Sequence, residues 1–345
     1  MLTIFSPDHR FQDGRSELND GMIMKPFEKP ERAEMIISRV RDVNLGEVRT
    51  PDDAGIDPIA RIHDKRLIKF LEEAWDLWAA EGRDNDALPL CWPVRGMGNR
   101  EPETIDGRLS YFSFDAGTPI TPGTWRAITS SANTAVSGAG ALVTGEQAVF
   151  SLCRPPGHHA HADFYGGYCF FNNAAIAAQY LLDKGCARIS IIDVDYHHGN
   201  GTQSIFYGRS DVQFLSIHAD PRFEFPFFLG HADEIGEGAG YGHNHNYPLP
   251  WGSDWDRWSE AFENACRRIE DFAPDAIIVS LGVDTYKEDP ISQFTLDTDA
   301  FPRIGERLAA LNRPTQFVME GGYAIEAIAV NAVGVLTGFE SASRL

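Results

Sequence analysis

The chain has 345 residues, 43% of them hydrophobic, and a formal net charge of −20. That length can bury a sizeable core in one large domain. The charge argues against nucleic acid and anionic membranes, which are recognised by clustered Lys and Arg, and it would welcome a cationic ligand; acidity for solubility alone explains the same balance.

The N-terminal "MLTIFSPDHRFQDG" has no basic region leading into a long apolar run, and no window reads as apolar enough to span a bilayer. The expectation is a cytoplasmic protein without a membrane partner. Cys91, Cys153, Cys169, Cys186 and Cys266 are scattered, odd in number and without a CxxC pair. They read as reduced thiols, so any bound metal must be held by nitrogen and oxygen.

In chain order, "ERAEMIISRVRDV" (31–43) and "RLIKFLEEAWDLWAAEG" (66–82) carry helical periodicity. A Pro-, Gly- and Trp-containing stretch follows from Arg83 to Pro122, too long for an ordinary connection and therefore functional, an interface, or both. From about residue 148, short β-branched runs alternate with amphipathic helical stretches. "AVFSLC", "RISIIDV", "VQFLSI", "DAIIVSLG" and "TQFVME" read as strands buried on both faces, while 172–185, 255–272 and 299–312 read as helices. The alternation predicts an α/β fold with a parallel sheet covered by helices. No internal repeat, low-complexity segment or heptad run interrupts it.

Each predicted strand ends in a polar cluster: "RPPGHH", "DYHHGNG", "HADP", "DTYKEDP" and "GGY". Ligands of open α/β sheets collect at the carboxyl ends of the strands, so these five clusters mark one rim. If the extended conformation persists past the strand, Asp195 and His197 point to one side and can share an ion, with Asp284 as a third N/O ligand and positions left open for water and substrate. The D-x-H spacing alone is more often a buried Asp paired with a neighbouring His or Arg. His158 and His159, on a turn stiffened by Pro155 and Pro156, can divide proton transfer from charge stabilisation, with Asp193 and Asn200 available to orient them. Tyr323, after two glycines, can aim a phenol at a developing oxyanion. His9, His63, His231, His243 and His245 read as ordinary core or surface residues; His161, His198 and His218 are open. Cys153 and Cys169 read as packing residues.

With "RPPGHHA", "GGYCFFNNAA", "DVDYHHGNGTQ", "SLGVDTYKEDP" and "MEGGYA" in this order, the sequence resembles the arginase/deacetylase superfamily over nearly its whole length, and within it the histone deacetylase-like acetylpolyamine amidohydrolases. The resemblance implies a single domain with an eight-stranded, mostly parallel sheet flanked by helices, and one zinc ion (Zn2+) held by Asp195, His197 and Asp284. It implies His159 as general base and then acid, His158 as an electrostatic partner bonded toward Asp193, Asn200 as the group orienting His159, and Tyr323 as an oxyanion stabiliser. Gly167 would offer its carbonyl to the scissile N–H, and Tyr168 and Phe225 would line an aromatic channel. A structural potassium ion (K+) would involve Asp193, Asp195, His197, Ser216 and Ile217.

The same resemblance makes residues 83–122 a dimerisation loop that narrows the tunnel, so the expected assembly is a homodimer and the expected substrate a small acetylated diamine or polyamine. Glu17 and Asp106 would anchor its free amine, with Asp115 a weaker candidate; a solvated role for these acids is the plain alternative. Three other readings compete: a peptide acetyl-lysine deacetylase, an arginase-like dimanganese hydrolase, and a non-catalytic acetyl-amine-binding protein. The dimanganese site needs further aspartates, whereas Asp284 is followed by Thr285 and Tyr286.

Overall fold

A computed structural model describes residues 1–343. Ten strands are present among them: β1 Leu2–Ile4, β2 Glu17–Asn19, β3 Met22–Met24, β4 Val48–Arg49, β5 Ala148–Ser151, β6 Ile189–Asp193, β7 Val212–Ala219, β8 Asn244–Leu249, β9 Ala276–Leu281 and β10 Thr315–Met319. Eight form one sheet in the order β4-β1-β5-β10-β9-β6-β7-β8, and every pairing in it is parallel. β2 and β3 make a separate antiparallel ribbon.

Successive residues on the central strands feed two apolar layers, because side chains alternate across a strand. Ile189, Ile191, Ala276 and Ile278 pack to one side with the helices Lys65–Ala80, Thr124–Val143 and Asn173–Asp183. Ile192, Ile277, Val279 and Leu281 pack to the other with the helices Glu31–Asp42, Trp255–Phe272, Ala300–Ala309 and Ile325–Ser343. The result is a single α/β domain in which both sheet faces are dry, which leaves the strand ends as the place for polar chemistry.

The five strands read from the sequence are all present. β1 and β4 are too short for periodicity to register, and β8, "NHNYPL", is an edge strand with a polar sequence. The helix Thr124–Val143 escaped notice because small residues, not large apolar ones, form its buried face. The helix Ile325–Ser343 corrects the hydropathy expectation, since it is long and apolar enough to cross a bilayer by length and composition. Its apolarity has a local cause: Ile328, Val335, Leu336 and Phe339 are buried in the second core layer. The Arg83–Pro122 stretch has structure of its own, with a bridge between Ala87 and Ile120 and a helix Ile105–Phe112 capped by the Thr104 hydroxyl.

Candidate active site

β6 ends at Asp193, so Asp195 and His197 converge by a bend and not by continued extension as their spacing suggested. Each step of the bend is closed by a side chain: Asp193 Oδ1 accepts from the Asp195 N–H at 3.1 Å, and Asp195 Oδ1 accepts from the His197 N–H at 2.9 Å. Asp284, just past β9, accepts from the Tyr196 N–H at 2.8 Å through Oδ1 and meets His197 Nδ1 at 3.0 Å through Oδ2. One ligand atom from each of Asp195, His197 and Asp284 lies within 4.8 Å of the other two, and all three residues are buried. Gly321 makes room for this, since a Cβ there would stand 2.5 Å from Asp195 Oδ2 and 2.7 Å from Asp284 Oδ2.

The cluster suits a divalent cation. Burial, followed by the charge of Asp195, pushes Asp284 up to about 8, while Asp195, despite burial, is held below the usual carboxylate range by His158 and His197. A cation between the carboxylates would relieve that repulsion, and three N/O donors leave positions open. A second group of possible donors, His158, Cys169 and Glu320, lies alongside. It is the poorer choice: burial raises the Cys169 thiol well above its usual range, His158 is bonded to Asp193 at 2.9 Å, and Glu320 is engaged by backbone N–H groups.

The two tandem histidines occupy opposite electrostatic settings. Burial disfavours a charge on His158, but Asp195 and Asp193 overcome it and raise the imidazole to about 10. His159 is driven well below its usual value by burial and then by the charges of His158 and His197. Its Nδ1 meets Asn200 Oδ1 at 2.6 Å, and Asn200 Nδ2 donates to His161 Nε2 at 2.9 Å. That second bond orients the amide, so His159 carries its proton on Nδ1 and presents Nε2 as a base. His161 was open on the sequence; here it completes the chain. His198 and His218 lie with ring centroids 4.5 Å apart and their planes tilted by 52°, held by Gln203, Ser216 and the Gly230 carbonyl.

Aromatic rings flank the cluster. Phe225 packs against His159 at 5.2 Å and stacks on Phe114 at 5.7 Å, while Tyr168 lies 5.6 Å from Tyr323. Gly167 has φ +58, and a Cβ there would stand 2.3 Å from His159 Cδ2, so only glycine brings this backbone so close to the imidazole. Ser216, on β7, pairs in register with Asp193 on β6, and Ile217 follows it in the core.

The acids differ from one another. Glu17 is 1% exposed; the Tyr168 hydroxyl, the Phe27 N–H and the Asn19 side chain approach its carboxylate, but neither oxygen makes a well-formed hydrogen bond. Asp106 sits on the helix Ile105–Phe112, where Arg83 grips it with bonds of 2.6 and 2.9 Å. Asp115 is occupied by the Gly167 and Gly117 N–H groups and the Thr118 hydroxyl.

Three contributors were missed from the sequence. Asp289 accepts from the Tyr323 N–H at 2.7 Å, and it stands within the motif that supplies Asp284. Arg32 bonds the carbonyls of Glu320 and Gly322 and lies 4.7 Å from the Tyr323 ring centroid. Its signal was a charge on the apolar face shared with Ile36 and Val40. The third is Glu320, at the end of β10.

The histone deacetylase domain model matches residues 26–339. Acetylpolyamine amidohydrolase 2 of Pseudomonas aeruginosa is 61% identical over 344 residues, covering 100% of both chains. The acetylpolyamine amidohydrolase of Mycoplana ramosa is 47% identical, covering 98% of this chain and 99% of its own. A crystal structure of acetylpolyamine aminohydrolase from Burkholderia pseudomallei superposes with a TM-score of 0.94 at 41% identity, covering 99% of each chain. The chain therefore belongs to the histone deacetylase family and is an amidohydrolase of the deacetylase class.

Proposed function

We propose that the chain hydrolyses the acetyl amide of small acetylated diamines and polyamines, with one zinc ion held by Asp195, His197 and Asp284. The observation that carries the substrate class is Glu17, a buried carboxylate without a well-formed partner beside the aromatic wall; a distal ammonium would supply what it lacks. The names of the relatives support the same reading.

When bound, zinc would polarise the amide carbonyl and lower the pKa of the attacking water toward about 7. His159 Nε2 takes the water proton and returns it to the leaving amine, steadied by Asn200. His158, kept cationic by Asp193 and Asp195, offsets negative charge in the transition state. The Tyr323 hydroxyl donates to the developing oxyanion, the Gly167 carbonyl receives the scissile N–H, and Tyr168 and Phe225 exclude water along the alkyl chain. A potassium ion beside Asp193, Asp195, His197, Ser216 and Ile217 would brace the bend.

Residues 83–122 form a dimerisation and tunnel loop in this reading. Leu90, Val94 and Met97 expose apolar surface there that a second copy would cover. The test is kcat/KM on zinc-loaded protein for acetylputrescine and acetylcadaverine beside an acetyl-lysine peptide. A preference for the diamines supports the reading; a preference for the peptide moves the function to protein deacetylation and leaves the chemistry intact.

A further inference from the structure

Glu320 is fully buried at the end of β10, one residue before the glycine whose N–H donates to Asp195 Oδ2 at 2.8 Å. Its own backbone is pinned on both sides: the N–H donates to the Leu281 carbonyl at 3.0 Å, and its carbonyl accepts from Arg32 at 2.5 Å. From that fixed point Oε2 accepts two backbone bonds, from Gly157 at 2.6 Å and from His158 at 3.1 Å. The His158 carbonyl in turn accepts from the Gly201 and Thr202 N–H groups at 3.1 Å each. The peptide unit carrying the paired histidines is thus held between the end of β10 and the first turn of the helix Asn200–Phe206.

Only one carboxylate oxygen is used; Oε1 has no partner. Burying a carboxylate costs several kcal/mol unless it is well compensated, and two backbone bonds on one oxygen are partial compensation. A purely structural cap would need no such group at this place, whereas acid–base chemistry does, since a displacement of about 1 Å at a reacting group can cost about 10²-fold.

We propose that Glu320 is a positioning residue: by holding the Gly157 and His158 N–H groups it sets where the two imidazoles stand relative to the metal cluster. The inference rests on the roles given above to His158 and His159. The acceptor oxygen is what matters, so a neutral side chain of the same shape should serve.

The test compares Glu320→Gln, which keeps the acceptor, with Glu320→Met, which fills the same space without one. Each is assayed on the best acetyl-amide substrate of the wild type, with KM, melting temperature and metal content measured beside kcat, and each is crystallised. Glu320→Gln is expected within about threefold of wild-type kcat, and Glu320→Met about 10- to 100-fold lower with KM and metal content unchanged. In the crystals, the histidine turn should shift in the Met variant only. Wild-type kcat in Glu320→Met, or an equal loss in both variants, would overturn the clamp. If Glu320→Met does not fold, Glu320→Gln decides alone: near-wild-type kcat sustains the proposal and a tenfold loss sinks it. A wild type inactive on every acetyl amide would defeat the functional reading, while the two crystal structures would still report whether the turn moves.

Discussion

The floor of the site and its outer wall are built on different principles. On the floor, the side chains of Asp195, Asp284, His158 and His159 are each oriented by a named bond from another strand end or turn, and all are buried. On the wall, Glu17 lacks a well-formed partner, Asp106 is tied to an arginine, and Leu90, Val94 and Met97 face outward. The floor is complete within one chain and has the order that catalysis demands, whereas the wall is left open for substrate and, in our reading, for a second copy.

Removing the metal should break this contrast most severely. Dialysis against a chelator is expected to abolish turnover and zinc to restore it; turnover that survives verified metal loss would remove the ion from the chemistry. Next, His159→Ala and Tyr323→Phe should each lower kcat by about 10²-fold or more in metal-replete protein, in the range of lost acid–base or oxyanion groups. Turnover near wild type would show that the assigned residue is not part of the machinery. Asn200→Ala should cost about 10- to 100-fold in kcat, because His159 loses the bond that orients its tautomer.

The wall should respond in KM instead. Burial raises Glu17 to about 7, so its carboxylate is charged above that pH and neutral below it. Attraction for a cationic tail is then present at pH 8 and fades as the pH falls through 7, and KM for acetylputrescine should rise on acidification. Glu17→Gln should raise KM about tenfold at pH 8 and flatten that pH dependence, with a neutral acetyl amide as the control. An unchanged profile would strip Glu17 of its role. The smallest effect is expected at Asp106→Ala, under about threefold in kcat/KM, since Arg83 already neutralises this exposed carboxylate. A loss beyond tenfold would mean that Arg83 yields it to the substrate and would sharpen the anchor into two groups.

The sedimentation behaviour of the protein bears on the same division. An active monomer at assay concentration would leave the apolar residues of 83–122 without the covering copy that our reading gives them.

The floor was legible because its signals are local. The strands that bear it have unbroken apolar runs, and the polar residues fall immediately after each run, so Asp195, His197, Asp284, His158, His159 and Tyr323 could all be singled out. The wall was less legible, since Asp106 looks like any helical carboxylate until Arg83, twenty-three positions earlier, closes on it.

By itself the sequence determined the class of fold and the rim at which the chemistry collects, through alternation of buried strands with helices and the polar motif at each strand end. Only the tertiary structure decided how those motifs meet. Asp195 and His197 converge by a side-chain-closed bend, Arg32 and Asp289 reach the Tyr323 turn from distant segments, and Glu320 holds the histidine turn from 162 positions away. The physical reason is that such bonds join groups close in space and far apart in the chain, and no periodicity in the sequence encodes a distance across a sheet.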